Sequence, residues 1–289
     1  MNEPVLLTGA GGAVGEAILG GLGDSYEWKL MFHSPPVEEP DHEYVVGDVA
    51  SDEDVAEAVS GVGAVVHLAG DPRPDAPWKS VLSNNIDGTQ KMYDAAIEED
   101  VDRFVYASSN HAVGLYEVEN APTIYGLDHD LVVDHTAPVR PDSMYGAAKV
   151  YAEGLGRLAA DQHGVSFYSL RICAVRDPEY DHPYGDAEAG VDDGEFERDS
   201  DAYGEQVARL KGMWQSRRDH AHMVEQCLHD ESVDFDVFYG VSDNDRRWFD
   251  IDHARDVLGY EPRDNGEEWD SPPADGSSTD DRPSRDSPR

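Results

Sequence analysis

Short apolar runs rich in β-branched and aromatic residues recur along the first two-thirds of the chain, at Val5–Leu7, Trp28–Phe32, Tyr44–Val46, Ala64–Leu68, Phe104–Ala107 and Phe167–Ile172. Helix-length stretches separate several of them: Ser51–Ser60, Asn84–Asp100 and Met144–Gln162. Strands that alternate with helices must cross over and return in the same direction. The spacing therefore predicts an α/β fold with a doubly wound parallel sheet. Helical periodicity returns at Gln206–Cys227 and Ile251–Leu258, on either side of a strand-like run at Val233–Val241.

Composition divides the chain further. Eleven of the 25 residues from Asp177 to Asp201 are Asp or Glu, with Gly and Pro interspersed, which reads as a surface insertion or lid. From Pro262 the sequence is mostly Asp, Ser, Pro and Gly, too polar to offset its ordering entropy. The expected organisation is an α/β core at 1–175, an acidic insertion or lid at 176–204, a small lobe with the last sheet elements at 205–261, and a disordered acidic tail at 262–289.

The 61 acidic residues outnumber the 22 basic ones, giving a net charge of −39. That excludes nucleic acid and anionic membrane as default partners, because phosphate rewards the opposite sign. Only five cations are lysines, and acids sit inside periodic segments as well as in the tail. An acidic, lysine-poor but foldable chain predicts a halophilic protein, since salt screens self-repulsion within ~3 Å at 1 M. No apolar run reaches the ~18–20 residues of a membrane span. The start Met1-Asn2-Glu3-Pro4 lacks the pattern of a signal peptide, and two cysteines suggest no disulfide framework. A cytoplasmic location is expected.

TGAGGAVG, Thr8 to Gly15, stands directly after the first strand. In a strand–turn–helix setting, glycines at Gly9, Gly12 and Gly15 let backbone approach a pyrophosphate, with Ala13 and Val14 opening the helix whose amides favour anions. A carboxylate that would bind an adenosine ribose is missing after the second strand, where Phe32-His33-Ser34 stands instead. NADP is therefore expected as the preferred cofactor, with NAD as the alternative. His33 and Ser34 are its nearest polar groups unless Glu38 or Glu39 arrives there. Gly47-Asp48-Val49 follows the third strand and offers Asp48 and Val49 to the adenine.

Tyr145 and Lys149 form YxxxK, which on a helix puts phenol and ammonium on one face a turn apart. A nearby cation favours phenolate and suits the tyrosine to general-base work. Ala107-Ser108-Ser109-Asn110-His111 closes a strand upstream and can bring a hydroxyl beside it.

Together with the GDV at Gly47, HLAG at His67–Gly70, NNIDGT at Asn84–Thr89 and LRI at Leu170–Ile172, these motifs resemble the extended short-chain dehydrogenase/reductase family over about residues 4–261. The resemblance implies a Rossmann-type core. It makes Tyr145 the base, Lys149 the residue that binds the nicotinamide ribose and lowers the tyrosine pKa, and Ser109 (Ser108 being the adjacent alternative) the hydroxyl that orients substrate. Leu68, Ala69 and Gly70 would line the cofactor, with Asn85 nearby. Within the family, SSNHAVG at Ser108–Gly114 is similar to uronate dehydrogenases and to haloarchaeal sugar 1-dehydrogenases acting on glucose 6-phosphate or L-arabinose. That implies sugar contacts from Asn110 and His111, and Arg209 facing a substrate carboxylate.

The expected reaction is NAD(P)-dependent oxidation of an aldose at C1 to the aldonolactone. A neutral aldose is favoured, because so negative an insertion folded over the mouth repels a phosphosugar or uronate, while Arg209 then needs an internal partner. The alternatives are glucose-6-phosphate or uronate 1-dehydrogenation, a nucleotide-sugar epimerase or dehydratase, and a non-catalytic NADP sensor. The family's use of the 144–162 helix as an interface implies a homodimer or homotetramer. No metal is expected: His220 and His222 would leave a helix on different faces, and no Cys or carboxylate completes a set with His229. His67, Trp214, Trp248 and Phe249 read as core, and Arg171 as an anchor for its strand.

Overall fold

The structure is a computed structural model and describes residues 3–273. Its strands are β1 (Val5–Thr8), β2 (Trp28–Phe32), β3 (Glu43–Val46), β4 (Ala64–His67), β5 (Arg103–Ser109), β6 (Ser166–Ile172) and β7 (Phe235–Gly240). The helices are α1 (Ala13–Leu22), α2 (Asp52–Val59), α3 (Trp78–Ser80), α4 (Gly88–Glu98), α5 (Leu115–Asn120), α6 (Met144–His163), α7 (Gly185–Asp192), α8 (Asp201–Met213), α9 (Arg217–His229) and α10 (Asp252–Leu258). A π-helical stretch, Val81–Asp87, joins α3 to α4.

All strands run parallel, in the order β3-β2-β1-β4-β5-β6-β7. The central strands β1 and β4 are buried throughout, and apolar except for the last residue of each, because both faces are covered. One face packs Leu7, Val66 and Leu170 against Ile18 and Leu22 of α1 and Val224 and Leu228 of α9. The other packs Leu6, Val65 and Phe104 against Val55 of α2, Met92 of α4 and Ala152 of α6. Strand order reverses beside β1, between β1 and β4, and α/β sheets of this kind bind ligands at that crevice.

Three expectations need correction. The periodicity at 206–227 is two helices rather than one. It breaks at Trp214–Ser216, where Trp214 bridges to Ala174 and Ser216 caps α9 by accepting from Asp219 N. The 176–204 insertion is not wholly surface: Asp181 and His182 are buried, and Asp181 Oδ1 accepts from Trp214 Nε1 at 3.0 Å. The proposed tail is packed at its beginning, since Asp219 Oδ1 and Oδ2 accept from the backbone of Arg263 and Asp264, and Lys211 Nζ donates to Trp269 O at 2.9 Å. The rest of that call, from residue 274, lies outside the described residues.

The 205–261 lobe is also composite. α9 belongs to the sheet's own core, whereas Val113, Ile124, Tyr125 and Val133, from the 110–143 stretch, join Leu210, Trp214, Trp248 and Phe249 in a separate cluster.

Candidate active site

The carboxyl ends of β1, β2, β4, β5 and β6 open onto one cavity of about 970 Å3. Its first wall is backbone. β1 ends at Thr8, the chain turns through Gly9 with φ +70, and Gly12 caps α1 without any side-chain acceptor, so first-turn amides stay available. A Cβ on Gly15 would lie 2.6 Å from Gly9 O and 2.7 Å from Ala10 O, so the close approach requires glycine there. The Thr8 hydroxyl accepts from Leu68 N and Ala69 N, both at 3.1 Å, tying the first and fourth strand ends together. This cradle fits a pyrophosphate.

At the adenosine end His33, Ser34, Asp48 and Val49 line the cavity, while Glu38 and Glu39 are exposed and do not. Asp48 Oδ1 accepts from Ala50 N at 2.9 Å and so also holds its own turn. Asn85, expected near the cofactor, stands one layer back from the lining. It is buried beneath the 70–72 loop, where Oδ1 accepts from Asp71 N at 3.0 Å and Nδ2 donates to Asp71 O at 2.9 Å. The π-helical turn carries it inward toward that loop, and Asn84 faces the cavity instead.

Tyr145 and Lys149 project from the start of α6, which Ser143 caps by accepting from Gly146 N at 3.0 Å. Ser109 ends β5, and its hydroxyl accepts from His111 N at 3.2 Å. All three line the cavity, as do Leu68, Ala69, Gly70, Asn110, His111 and Arg209. His111 Nδ1 lies 2.7 Å from Asp142 Oδ2, and its ring meets the Tyr145 ring edge-on.

Burial is the largest influence on Tyr145 and pushes its pKa up; Ser109 opposes this and Asp71 adds to it. The net shift is upward even though the Lys149 ammonium stands close. The ammonium donates to Ala107 O at 2.6 Å and lies over the Tyr145 ring, 5.3 Å from its centroid. Burial pushes Lys149 itself down to about 8, with Glu153 pulling the other way.

Behind these groups stands a buried ion pair. Arg171 donates to Glu153 through Nε at 2.9 Å and Nη2 at 2.8 Å, and Ser108 Oγ donates to Glu153 Oε1 at 2.7 Å. Ser108 is thus held by this pair, although it also borders the cavity. Arg171 anchors its strand as expected, and also reaches Tyr239 OH at 3.0 Å.

The far wall carries Arg176 and Arg209. Arg209 Nε donates to Glu117 Oε1 at 2.5 Å, and Arg176 grips Asp186 through Nε at 2.5 Å and Nη2 at 2.9 Å. Of the 176–204 insertion only Arg176 lines the cavity. Sequence reasoning missed Arg176 and Gly11, and Asp71 also lines the cavity. There the Arg73 guanidinium holds its carboxyl well below the usual range. Arg73 sits in the same proline-rich loop, so its pairing was the readable signal. The segment holding Arg176 carried none, being dominated by acids.

The set-aside residues lie elsewhere. His67 is buried under the cradle, 2.8 Å from Thr8 Oγ1, and burial holds it down to about 3. His220 Nδ1 faces Gln215 Oε1, His222 Nε2 accepts from Glu261 N, and His229 meets Tyr26 OH. Among the described residues no helix is long and apolar enough to cross a membrane.

The NAD dependent epimerase/dehydratase family model matches residues 5–189. Over 276 residues the chain is 45% identical to the NAD-dependent glucose-6-phosphate dehydrogenase of Haloferax volcanii, covering 93% of this chain and 96% of the relative. It is 34% identical to the L-arabinose 1-dehydrogenase (NAD(P)(+)) of the same organism, covering 90% and 96%. The crystal structure of uronate dehydrogenase from Agrobacterium tumefaciens superposes with a TM-score of 0.74 at 28% identity, covering 94% of this chain and 91% of that one.

Proposed function

The chain belongs to the NAD dependent epimerase/dehydratase family, and from that premise we propose that it oxidises an aldose at C1 to the aldonolactone, with an uncharged pentose or hexose as substrate and NADP preferred over NAD. The relatives named above make it an NAD-dependent sugar-oxidising enzyme. One observation carries the finer reading: Tyr145, Ser109 and Lys149 converge on the cavity that the Gly9–Gly15 cradle walls.

When bound, the nicotinamide cofactor supplies the redox step by accepting hydride from C1. Gly9, Gly12 and Gly15 hold the cofactor's pyrophosphate, and Lys149 reaches its ribose. Tyr145 takes the proton from the anomeric hydroxyl, and the Ser109 hydroxyl donates to the same oxygen as the carbonyl forms. Asn110 and His111 orient the sugar. Burial raises the Tyr145 pKa, so phenolate is scarce near neutrality and turnover rises with pH into the alkaline range.

The NADP preference rests on His33 and Ser34 at the adenosine end, where no carboxylate from Glu38 or Glu39 lines the wall. The preference for an uncharged sugar rests on Arg209, which has the internal partner that reading requires. A second reading, an acidic sugar or sugar phosphate, draws on the 45% identity to a glucose-6-phosphate dehydrogenase. The test is a screen of neutral aldoses, uronates and sugar phosphates with both cofactors. It is run in molar salt, because a net charge of −39 is best tolerated when screened. Lactone formation from a neutral aldose, with the higher kcat/KM for NADP, is the expected result. Turnover only of nucleotide sugars, or NADP binding with no reduction, overturns the proposal.

A further inference from the structure

Two guanidinium groups face the cavity, and neither is free. Arg209 is bound to Glu117, through Nε–Oε1 at 2.5 Å and Nη2–Oε2 at 3.4 Å, and its Nη1 lies 3.9 Å from Asp186 Oδ2. Arg176 is bound bidentately to Asp186. Glu117 and Asp186 are not among the lining residues, so they stand behind the arginines and hold them from the protein side. Glu117 is buried, and Tyr125 OH donates to its Oε1 at 2.9 Å, which fixes the carboxylate in place. Two cations and two anions leave this wall without net charge.

We infer that Glu117 is a specificity-determining residue, a carboxylate supplied by the chain that occupies Arg209 and makes the wall select uncharged sugars over sugars carrying a carboxylate or phosphate. An anionic sugar could claim the Nε–Nη2 edge of Arg209 for a bidentate grip only by displacing Glu117, and a buried carboxylate left unpaired is strongly unfavourable. An uncharged sugar makes no such demand and hydrogen-bonds the guanidinium edges that remain. The inference rests on the reading of the cavity as an aldose site, and it commits that site to one substrate class.

The first measurement uses the unaltered enzyme: kcat/KM for a neutral aldose against the same sugar bearing a 6-carboxylate or a 6-phosphate. The neutral sugar is expected to win; a preference for either anionic form overturns the inference while leaving C1 oxidation standing. The second compares Glu117→Gln, which keeps shape and removes charge, with Tyr125→Phe, which removes the supporting hydrogen bond and keeps charge. Glu117→Gln is expected to shift the anionic-to-neutral ratio toward the anionic sugar by about tenfold or more, and Tyr125→Phe by less than about twofold. Asp186→Asn should shift it in the same direction and serves where Glu117→Gln fails to fold. Ratios unchanged within about twofold in whichever charge variants fold overturn the inference, and where neither folds the first measurement decides it. Failure of the unaltered enzyme to oxidise any aldose instead overturns the functional reading beneath it.

Discussion

The two ends of the cavity are built by different means. At the glycine turn the wall is backbone: Gly9, Gly12 and Gly15 follow β1 directly, and the fit depends on atoms that are missing. At the opposite end the wall is side chain, with Arg176 and Arg209 backed by Asp186 and Glu117 and fitting only because their charges cancel. A contact made within one strand–turn–helix unit is written in neighbouring residues. A contact across 92 positions, as between Glu117 and Arg209, is written nowhere until the chain folds.

The Glu153–Arg171 pair lies at the seam between these ends, and removing one partner should have the largest effect. Glu153→Ala leaves Arg171 buried without a carboxylate, and a loss of ~3–5 kcal/mol is expected in denaturant titration. A loss below about 1 kcal/mol would mean the seam is wetter than its burial indicates. Tyr145→Phe acts on chemistry alone: turnover should fall by ~10²-fold or more, with cofactor affinity by fluorescence titration changing far less. Gly15→Val sharpens the contrast between the two ends, because its Cβ meets Gly9 O and Ala10 O and strains the turn by ~1–3 kcal/mol. Cofactor Kd should rise about tenfold while selectivity among sugars stays the same. Equal loss of sugar selectivity would show that the ends are not independent.

The smallest effect is a pH slope outside both ends. Asp219 is held up to about 6 by burial and by Asp264. The folded chain therefore keeps a proton that the unfolded chain releases near ~3.9. This contribution to stability is full below that value and is lost as pH rises through about 6. Between pH 4.5 and 6.5, urea midpoints of Asp219→Asn should decline less than those of the unaltered protein, and parallel declines would contradict the assignment.

Strands and most helices were readable because apolar periodicity is local, and every strand run matches a strand within a few residues. The break at 214–216 also had a local signal, since Ser216-Arg217-Arg218-Asp219 places a capping serine three residues before an acid. Trp269 was the sign that the polar tail begins by packing, as one large aromatic can bury what its neighbours cannot. The placement of Asn85 was legible only in part. Its motif gives a neighbourhood, whereas the π-helical turn decides which of Asn84 and Asn85 faces the cavity. The direction of the Lys149 ammonium is likewise set by a distant partner, the Ala107 carbonyl of β5.

The account turns on Tyr145 removing the proton of an anomeric hydroxyl while C1 gives up its hydrogen. Supplying a neutral aldose deuterated at C1, together with NADP or NAD in molar salt, tests this directly by NMR of both products. The account predicts deuterium at C4 of the reduced nicotinamide in one-to-one amount with aldonolactone, formed ~10²-fold or more slowly in Tyr145→Phe. Deuterium retained on the sugar, or label transfer at an undiminished rate without the phenol, would contradict it.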